Sequence, residues 1–329
     1  MSSFYLYILD SDASVQNEEI AYTEVTMAVL SVTNLYKKFS RPNFTAVNGI
    51  SFELQEGQIL GFLGPNGAGK TTTIQMLLST MEPSSGDIVY FGKSLATHRS
   101  EILSKVGFAS TYVSLPAKLT VYENLLFYGQ LYGVPRALLK GRLEHLLKKF
   151  DMWLLKDRRA GTLSAGQMTR VMLIKAFCIE PRIMLLDEPT ASLDPDVVQQ
   201  VLSFIKEQQE QQGVSILFTS HKMDEVAQMC DRVVVLKKGS IIAYDTPEKL
   251  ALLAGRAHVQ LVVERAEEIA HWCISQNIDV QVSGAVLTVQ LDEHAIAHFL
   301  VALVHAGFSY QQISIDKPTL EDYFLHISR

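Results

Sequence analysis

Gly64-Pro65-Asn66-Gly67-Ala68-Gly69-Lys70-Thr71 matches the phosphate-binding pattern G-x-x-x-x-G-K-[ST] at every fixed position. Before it, residues 58–63 (Gln-Ile-Leu-Gly-Phe-Leu) are a short apolar run of strand character; after it, residues 71–81 carry Ile74, Leu77 and Leu78 at helical spacing. The expectation is strand, loop, helix. In that setting the glycines let backbone N–H groups turn inward around an anion, and the helix start adds the positive end of its dipole. Lys70 is expected to reach the β- and γ-phosphates of a nucleotide, and Thr71 to offer its hydroxyl to Mg²⁺. A glycine-rich turn with a chance lysine would explain this stretch alone, but not the motifs that follow it in order.

Residues 183–186, Ile-Met-Leu-Leu, form an apolar run that ends in Asp187-Glu188. A buried strand ending this way puts two carboxylates at the carboxyl edge of a sheet, where an α/β fold keeps its ligand. Asp187 suits Mg²⁺, and Glu188 projects far enough to orient and deprotonate a water attacking a γ-phosphate. Between the two motifs, Leu163-Ser164-Ala165-Gly166-Gln167 precedes a helix that Pro181 ends, and Ser164 with Gln167 makes a capping box at its start.

With the phosphate loop upstream and the paired acids downstream, the stretch from Leu163 to Gln167 resembles the LSGGQ signature of the ATP-binding cassette family, and the resemblance extends over residues 30–247. It implies an α/β P-loop NTPase cassette: a RecA-like core with an antiparallel β subdomain and a helical insertion. It also implies ATP and Mg²⁺ as cofactors, and two cassettes facing head to tail, each phosphate loop closed by the other's signature. On that pattern Gly64, Pro65, Asn66, Gly67, Ala68, Gly69, Lys70, Thr71 and Thr72 bind ATP, and Phe39 stacks on the adenine. Ser164, Ala165, Gly166 and Gln167 face the γ-phosphate of the opposite site, and Ser192 and Asp194 fall in the loop that communicates between cassettes. His221, behind a strand at 215–219, is like the switch histidine that contacts the γ-phosphate, and with Glu188 it makes up the implied catalytic set. Ala165 stands where the family usually has glycine, an added methyl that the site is expected to tolerate. Where the family supplies a glutamine that touches Mg²⁺, the aligned residue is Thr111; with Thr71 and Asp187 it completes the implied metal set, at a shorter reach.

The segment Lys317-Pro318-Thr319-Leu320-Glu321-Asp322-Tyr323-Phe324-Leu325 resembles the end of cassettes that serve exporters with a separate membrane permease. The implied function is an ATPase subunit, a homodimer or paired cassette, held peripherally at the cytoplasmic side of the membrane by a transmembrane permease and driving export through it. One alternative is a cassette ATPase acting on ribosomes or DNA, which would bring a second phosphate loop, basic linkers or a coiled-coil arm. The net charge of −6 gives no electrostatic reason to expect nucleic acid. Another is an ATP-gated clamp with negligible hydrolysis, against which stand Glu188 and His221. No N-K-x-D run supports a GTPase.

With 329 residues, 48% of them hydrophobic, the chain can supply more than one core. Cys178, Cys230 and Cys273 are odd in number and far apart, as expected of buried thiols in a reducing compartment. No run approaches the roughly 18 apolar residues of a membrane span. Residues 1–26 read as a loose extension, with an edge strand at 4–9 as the other reading; 27–250 read as the ATP-binding domain, helical over about 108–170; 251–329 read as a small α+β domain. In the last, strand 258–263, helix 266–275, strands 280–282 and 286–291, helix 293–306 and strand 311–315 follow the ferredoxin-like order. Ile296, Phe299, Leu300, Leu303 and Val304 form the buried stripe expected of its second helix. Opposite lie His294, His298 and His305, read as a solvated face rather than a metal site. A final helix over 317–325 would then serve either as the exporter-type tail or as a lid on this small domain.

Overall fold

A computed structural model describes residues 28–110, 115–292 and 295–328. The expected N-terminal extension, the edge strand at 4–9, Thr111 and His294 lie outside the described residues. The described chain opens with a long hairpin, β1 (Ala28–Ser40) and β2 (Asn43–Gln55), whose register sets Phe39 opposite Phe44. Next come β3 (Ile59–Leu63), buried at every position, and α1 (Lys70–Leu77), with the phosphate-loop sequence between them as expected. Then follow β4 (Ser85–Tyr90), β5 (Lys93–Ser94), α2 (Arg99–Leu103) and β6 (Val106–Ser110). The first sheet is antiparallel, in the order β2-β1-β4-β5.

The helical insertion begins at Val121, beyond β6, rather than at 108, because residues 106–110 pair in parallel with residues 183–187. Its first helix, α3 (Val121–Leu131), starts at the expected capping box of Thr120 and Glu123. α4 (Arg136–Lys149) buries Leu139, Leu143, Leu146 and Leu147, the i, i+4, i+7, i+8 stripe of an amphipathic helix. α5 (Ala165–Phe177) carries the Ser164–Gln167 box at its start. Strands and helices then alternate: β7 (Ile183–Asp187), α6 (Pro195–Gln212), β8 (Ser215–Thr219), α7 (Met223–Met229), β9 (Arg232–Lys237), β10 (Ser240–Asp245) and α8 (Pro247–Leu252).

The second sheet runs β10-β9-β3-β8-β7-β6, parallel throughout except for β10 against β9. Strands of a parallel sheet are covered on both faces, which is why β3, β7 and β8 are apolar runs rather than alternating ones. The order has a direct consequence. The phosphate loop leaves the carboxyl end of β3, Glu188 follows β7 and His221 follows β8, so three neighbouring strands deliver the three motifs to one edge.

The remaining segments are β11 (Ala257–Val262), α9 (Ala266–Ser275), β12 (Val280–Ser283), β13 (Val286–Leu291), α10 (Ile296–His305) and β14 (Gln312–Asp316). Their sheet is antiparallel in the order β12-β13-β11-β14, the ferredoxin-like arrangement. Ile296, Phe299 and Leu303 of the expected stripe are buried and Leu300 packs beside them, but Val304 is 55% exposed. The last helix, α11 (Leu320–Ser328), departs from the lid reading. Its Leu320 and Tyr323 are buried in the core that contains Met223, Val226 and Leu250, so it packs on α7 and α8 and not over the small sheet. The three cysteines are free and buried, and burial pushes the Cys178 thiol up to about 12 and that of Cys273 to about 11.

Candidate functional site

The phosphate loop depends on two glycines in left-handed backbone. Gly64 has φ 155° and Gly69 φ 106°; a Cβ on either would lie 2.5 Å from a carbonyl oxygen, that of Leu236 or that of Ala46. Gly69 caps α1 without a side chain, so no capping group occupies the first-turn N–H groups. Lys70 curls back over the loop, its ammonium donating to the carbonyls of Gly64 at 2.5 Å and Pro65 at 3.2 Å. Burial pushes its pKa down, and the charges of Glu188 and Asp187 pull it back up. A cleft of about 210 Å³ opens here, lined among others by Asn66, Lys70, Thr71, Thr72, Asp187 and Glu188.

Asp187 is only 4% exposed, and Thr219 Oγ1 donates to its Oδ1 at 2.8 Å. Burial pushes its carboxyl above the ordinary range, against the hydrogen bond from Thr219. Glu188 has φ 55°, left-handed for a residue with a side chain and worth roughly 1–2 kcal/mol of strain. The strain is held by neighbours on β8: the Glu188 N–H donates to Thr219 Oγ1 at 3.0 Å and to the Thr219 carbonyl at 3.2 Å. The twist turns Glu188 away from the strand, and its Oε2 meets His221 Nδ1 at 2.6 Å. Glu188 is mostly buried, while His221 stays open to solvent at 66% side-chain exposure.

The signature residues do not line this cleft. Ser164 Oγ accepts from the Gln167 N–H at 3.2 Å, and Gln167 Oε1 accepts from the Ser164 N–H at 3.0 Å. Ala165 is exposed, so its methyl meets no crowding in the chain, whereas a Cβ on Gly166 would lie 3.0 Å from the Ser192 carbonyl oxygen. Ser192 and Asp194 are exposed, and Asp194 caps α6 without a side-chain bond. The fold therefore gathers Lys70, Thr71, Asp187, Glu188 and His221 at one place and presents Ser164 to Gln167 with Ser192 at another.

The aromatic ring that lines the cleft is Phe44, 48% exposed, and not Phe39. Phe39 stacks on Phe44 at 5.6 Å between centroids and 5° between planes, and Lys37 Nζ lies 5.4 Å from its ring. Sequence reading also passed over Thr219, which ties Asp187 to Glu188. The donor set suits Mg²⁺: an aspartate and a threonine hydroxyl are hard oxygen ligands of the kind that a Mg²⁺ ion adds to phosphate oxygens and water. Among the described residues no group of three or more His, Cys, Asp or Glu is arranged to hold a metal by itself. Among them, too, no helix is long and apolar enough to cross a membrane.

Residues 47–191 match the family model described as ABC transporter. The linearmycin resistance ATP-binding protein LnrL of Bacillus subtilis (strain 168) is 30% identical over 308 residues, covering 91% of this chain and 98% of that protein. The sulfate/thiosulfate import ATP-binding protein CysA of Xanthomonas campestris pv. campestris is 35% identical over 225 residues, 67% of this chain and 65% of that protein. The solved structure of an ATP-binding subunit of an ABC transporter superposes with a TM-score of 0.64 at 28% identity, covering 68% of this chain and 91% of the other.

Proposed function

The chain belongs to the ABC transporter family, as an ATP-binding and ATP-hydrolysing subunit, and from that premise we propose that it powers export through a separate membrane permease. The contact between Glu188 Oε2 and His221 Nδ1 at the mouth of the phosphate-loop cleft carries the hydrolytic part of the reading. Glu188 takes the proton of the attacking water, and His221 orients that carboxylate from outside the cleft. Lys70 swings from the loop carbonyls to the β- and γ-phosphates, and Phe44, backed by Phe39, carries the adenine. Asp187 and Thr71 would hold Mg²⁺; Thr111, which the resemblance adds to that set, lies outside the described residues. The ion would neutralise charge on the phosphate oxygens.

Cassettes of this family dimerise and pair with permease subunits. We assign Ser164 to Gln167 to the γ-phosphate of the opposite cassette, and their distance from the chain's own cleft supports this. The Ser164 oxygen caps α5 by accepting, which leaves its O–H free to donate to a phosphate. We take the chain to work as a homodimer or paired cassette, with no nucleic-acid partner, held at the cytoplasmic face of the membrane by the permease. A groove of about 460 Å³ beside Asp187, lined by Leu78, Leu103, Phe108 and Tyr132, supports docking of an apolar permease segment. Export is favoured over import because the Nod factor export ATP-binding protein I of Ralstonia nicotianae, 30% identical, aligns along 94% of its length and 91% of this chain, including segments after 250, whereas the import protein aligns over 65%.

The test is to purify the chain with the permease it retains, reconstitute both, and measure Mg-ATP hydrolysis and substrate movement together. The reading expects hydrolysis coupled to movement away from the cassette side. Movement toward that side would overturn export and leave the ATPase standing.

A further inference from the structure

Behind the Glu188–His221 contact lies a second carboxylate. Glu225, in the first turn of α7, is buried at 6% exposure, although its neighbour Asp224 is exposed. Its Oε2 accepts from Thr190 Oγ1 at 2.5 Å and from Ser220 Oγ at 3.0 Å. Lys222 Nζ lies 3.0 Å from its Oε1, and the Lys222 N–H donates to Ser220 Oγ at 3.1 Å. Thr190 and Ser220 are themselves buried, at 1% and 2% exposure. Thr190 stands two residues beyond Glu188, and Ser220 stands immediately before His221. One buried side chain thus fastens the loop after β7 to the loop after β8, in addition to the Thr219 bonds.

A buried carboxylate is costly to maintain unless it is matched by donors or a counter-charge; here both hydrogen bonds go to Oε2, from the two segments whose separation fixes the reacting pair, and Oε1 has the Lys222 ammonium beside it but no hydrogen-bond donor. The Lys222–Ser220 bond closes a tight turn around His221, so the carboxylate that anchors Ser220 also fixes where the imidazole emerges. We propose that Glu225 is a positioning residue for hydrolysis: it clips the Glu188 loop to the His221 loop and so sets the Glu188–His221 contact. The inference rests on the reading of Glu188 and His221 as the hydrolytic pair. Glu225 does not touch the cleft, so its effect must run through His221 and Glu188 and leave ATP binding alone.

The test is a double-mutant cycle on the purified chain, with kcat, KM for ATP, ATP affinity and melting temperature measured for Glu225→Ala, His221→Ala and the double variant. Glu225→Gln tests rescue, since its amide oxygen still accepts from both hydroxyls. Thr190→Val removes the clip from the other loop should Glu225→Ala fail to fold. Expected are a fall in kcat of about tenfold or more for Glu225→Ala and Thr190→Val at unchanged ATP affinity, recovery of most of it in Glu225→Gln, and a double variant no slower than His221→Ala. Losses that multiply in the double variant, or parental hydrolysis by Thr190→Val, would overturn the inference. Failure of the underlying reading registers separately, as parental hydrolysis by Glu188→Gln.

Discussion

Lys70 and Glu188 line one cleft but act on different states of the reaction. Lys70 offers a cation to phosphates that are charged before and during hydrolysis, so Lys70→Ala should lose ATP binding itself, read by equilibrium titration. Retention of parental affinity would contradict the role. The adenine end makes a sharper test, because two stacked rings compete for it. Phe44 lines the cleft and Phe39 stacks on it, so Phe44→Ala should weaken ATP binding by about 1–3 kcal/mol, roughly 5- to 150-fold, as expected for loss of one base-stacking surface. Phe39→Ala should cost distinctly less; the opposite ranking would return the adenine to Phe39. Lys70, Thr71, Asp187 and Glu188 were legible in the sequence because each is fixed by the strand or loop directly before it. Phe44 was not, because only the register of the hairpin, a pairing of residues apart in sequence, decides which ring faces the cleft. Glu225 was hidden for a similar reason: in sequence, Asp224 and Glu225 are two acids at the start of a helix, and only the approach of Thr190 separates them.

α5 begins at a cap that has two duties. Ser164→Ala should lower stability by about 1 kcal/mol, a shift of roughly 2–4 °C in melting temperature, because the Gln167 N–H loses its acceptor. If the same hydroxyl serves the opposite site, as proposed, hydrolysis should fall by more than that shift explains; a loss confined to stability would make Ser164 a cap only. α11 is tested by Leu320→Ala, which opens a cavity in the core shared with α7 and α8 and should cost about 2–5 kcal/mol in scanning calorimetry. An unchanged melting temperature would show that the helix is not docked there. Legibility differed between such elements. α6 carries its boundaries in its own sequence: Pro195 opens it and Gly213, at φ 64°, closes it. β4 and β6 were missed: Ser-Gly-Asp-Ile-Val-Tyr and Val-Gly-Phe-Ala-Ser have little period of their own and become strands through their partners β1 and β7. α11 has the composition of an amphipathic helix, but nothing in that composition says which core receives it.

One cassette holds a phosphate loop, two acids and the histidine in contact with the second of them, with residues 164–167 outside that cleft. That separation fits the pairing of cassettes in this family; on the proposed reading ATP is the shared ligand that draws two chains together and hydrolysis releases them. Glu188→Gln should keep the shape of the cleft, slow hydrolysis by about 10²–10⁴-fold and leave ATP bound. The most direct measurement is therefore the mass in solution of purified Glu188→Gln with and without Mg-ATP, alongside the Lys70→Ala chain, by size-exclusion chromatography with light scattering. The prediction is a stable dimer of Glu188→Gln that forms only with ATP, and a monomer of Lys70→Ala under every condition. A Glu188→Gln chain that stays monomeric with saturating ATP bound would contradict it.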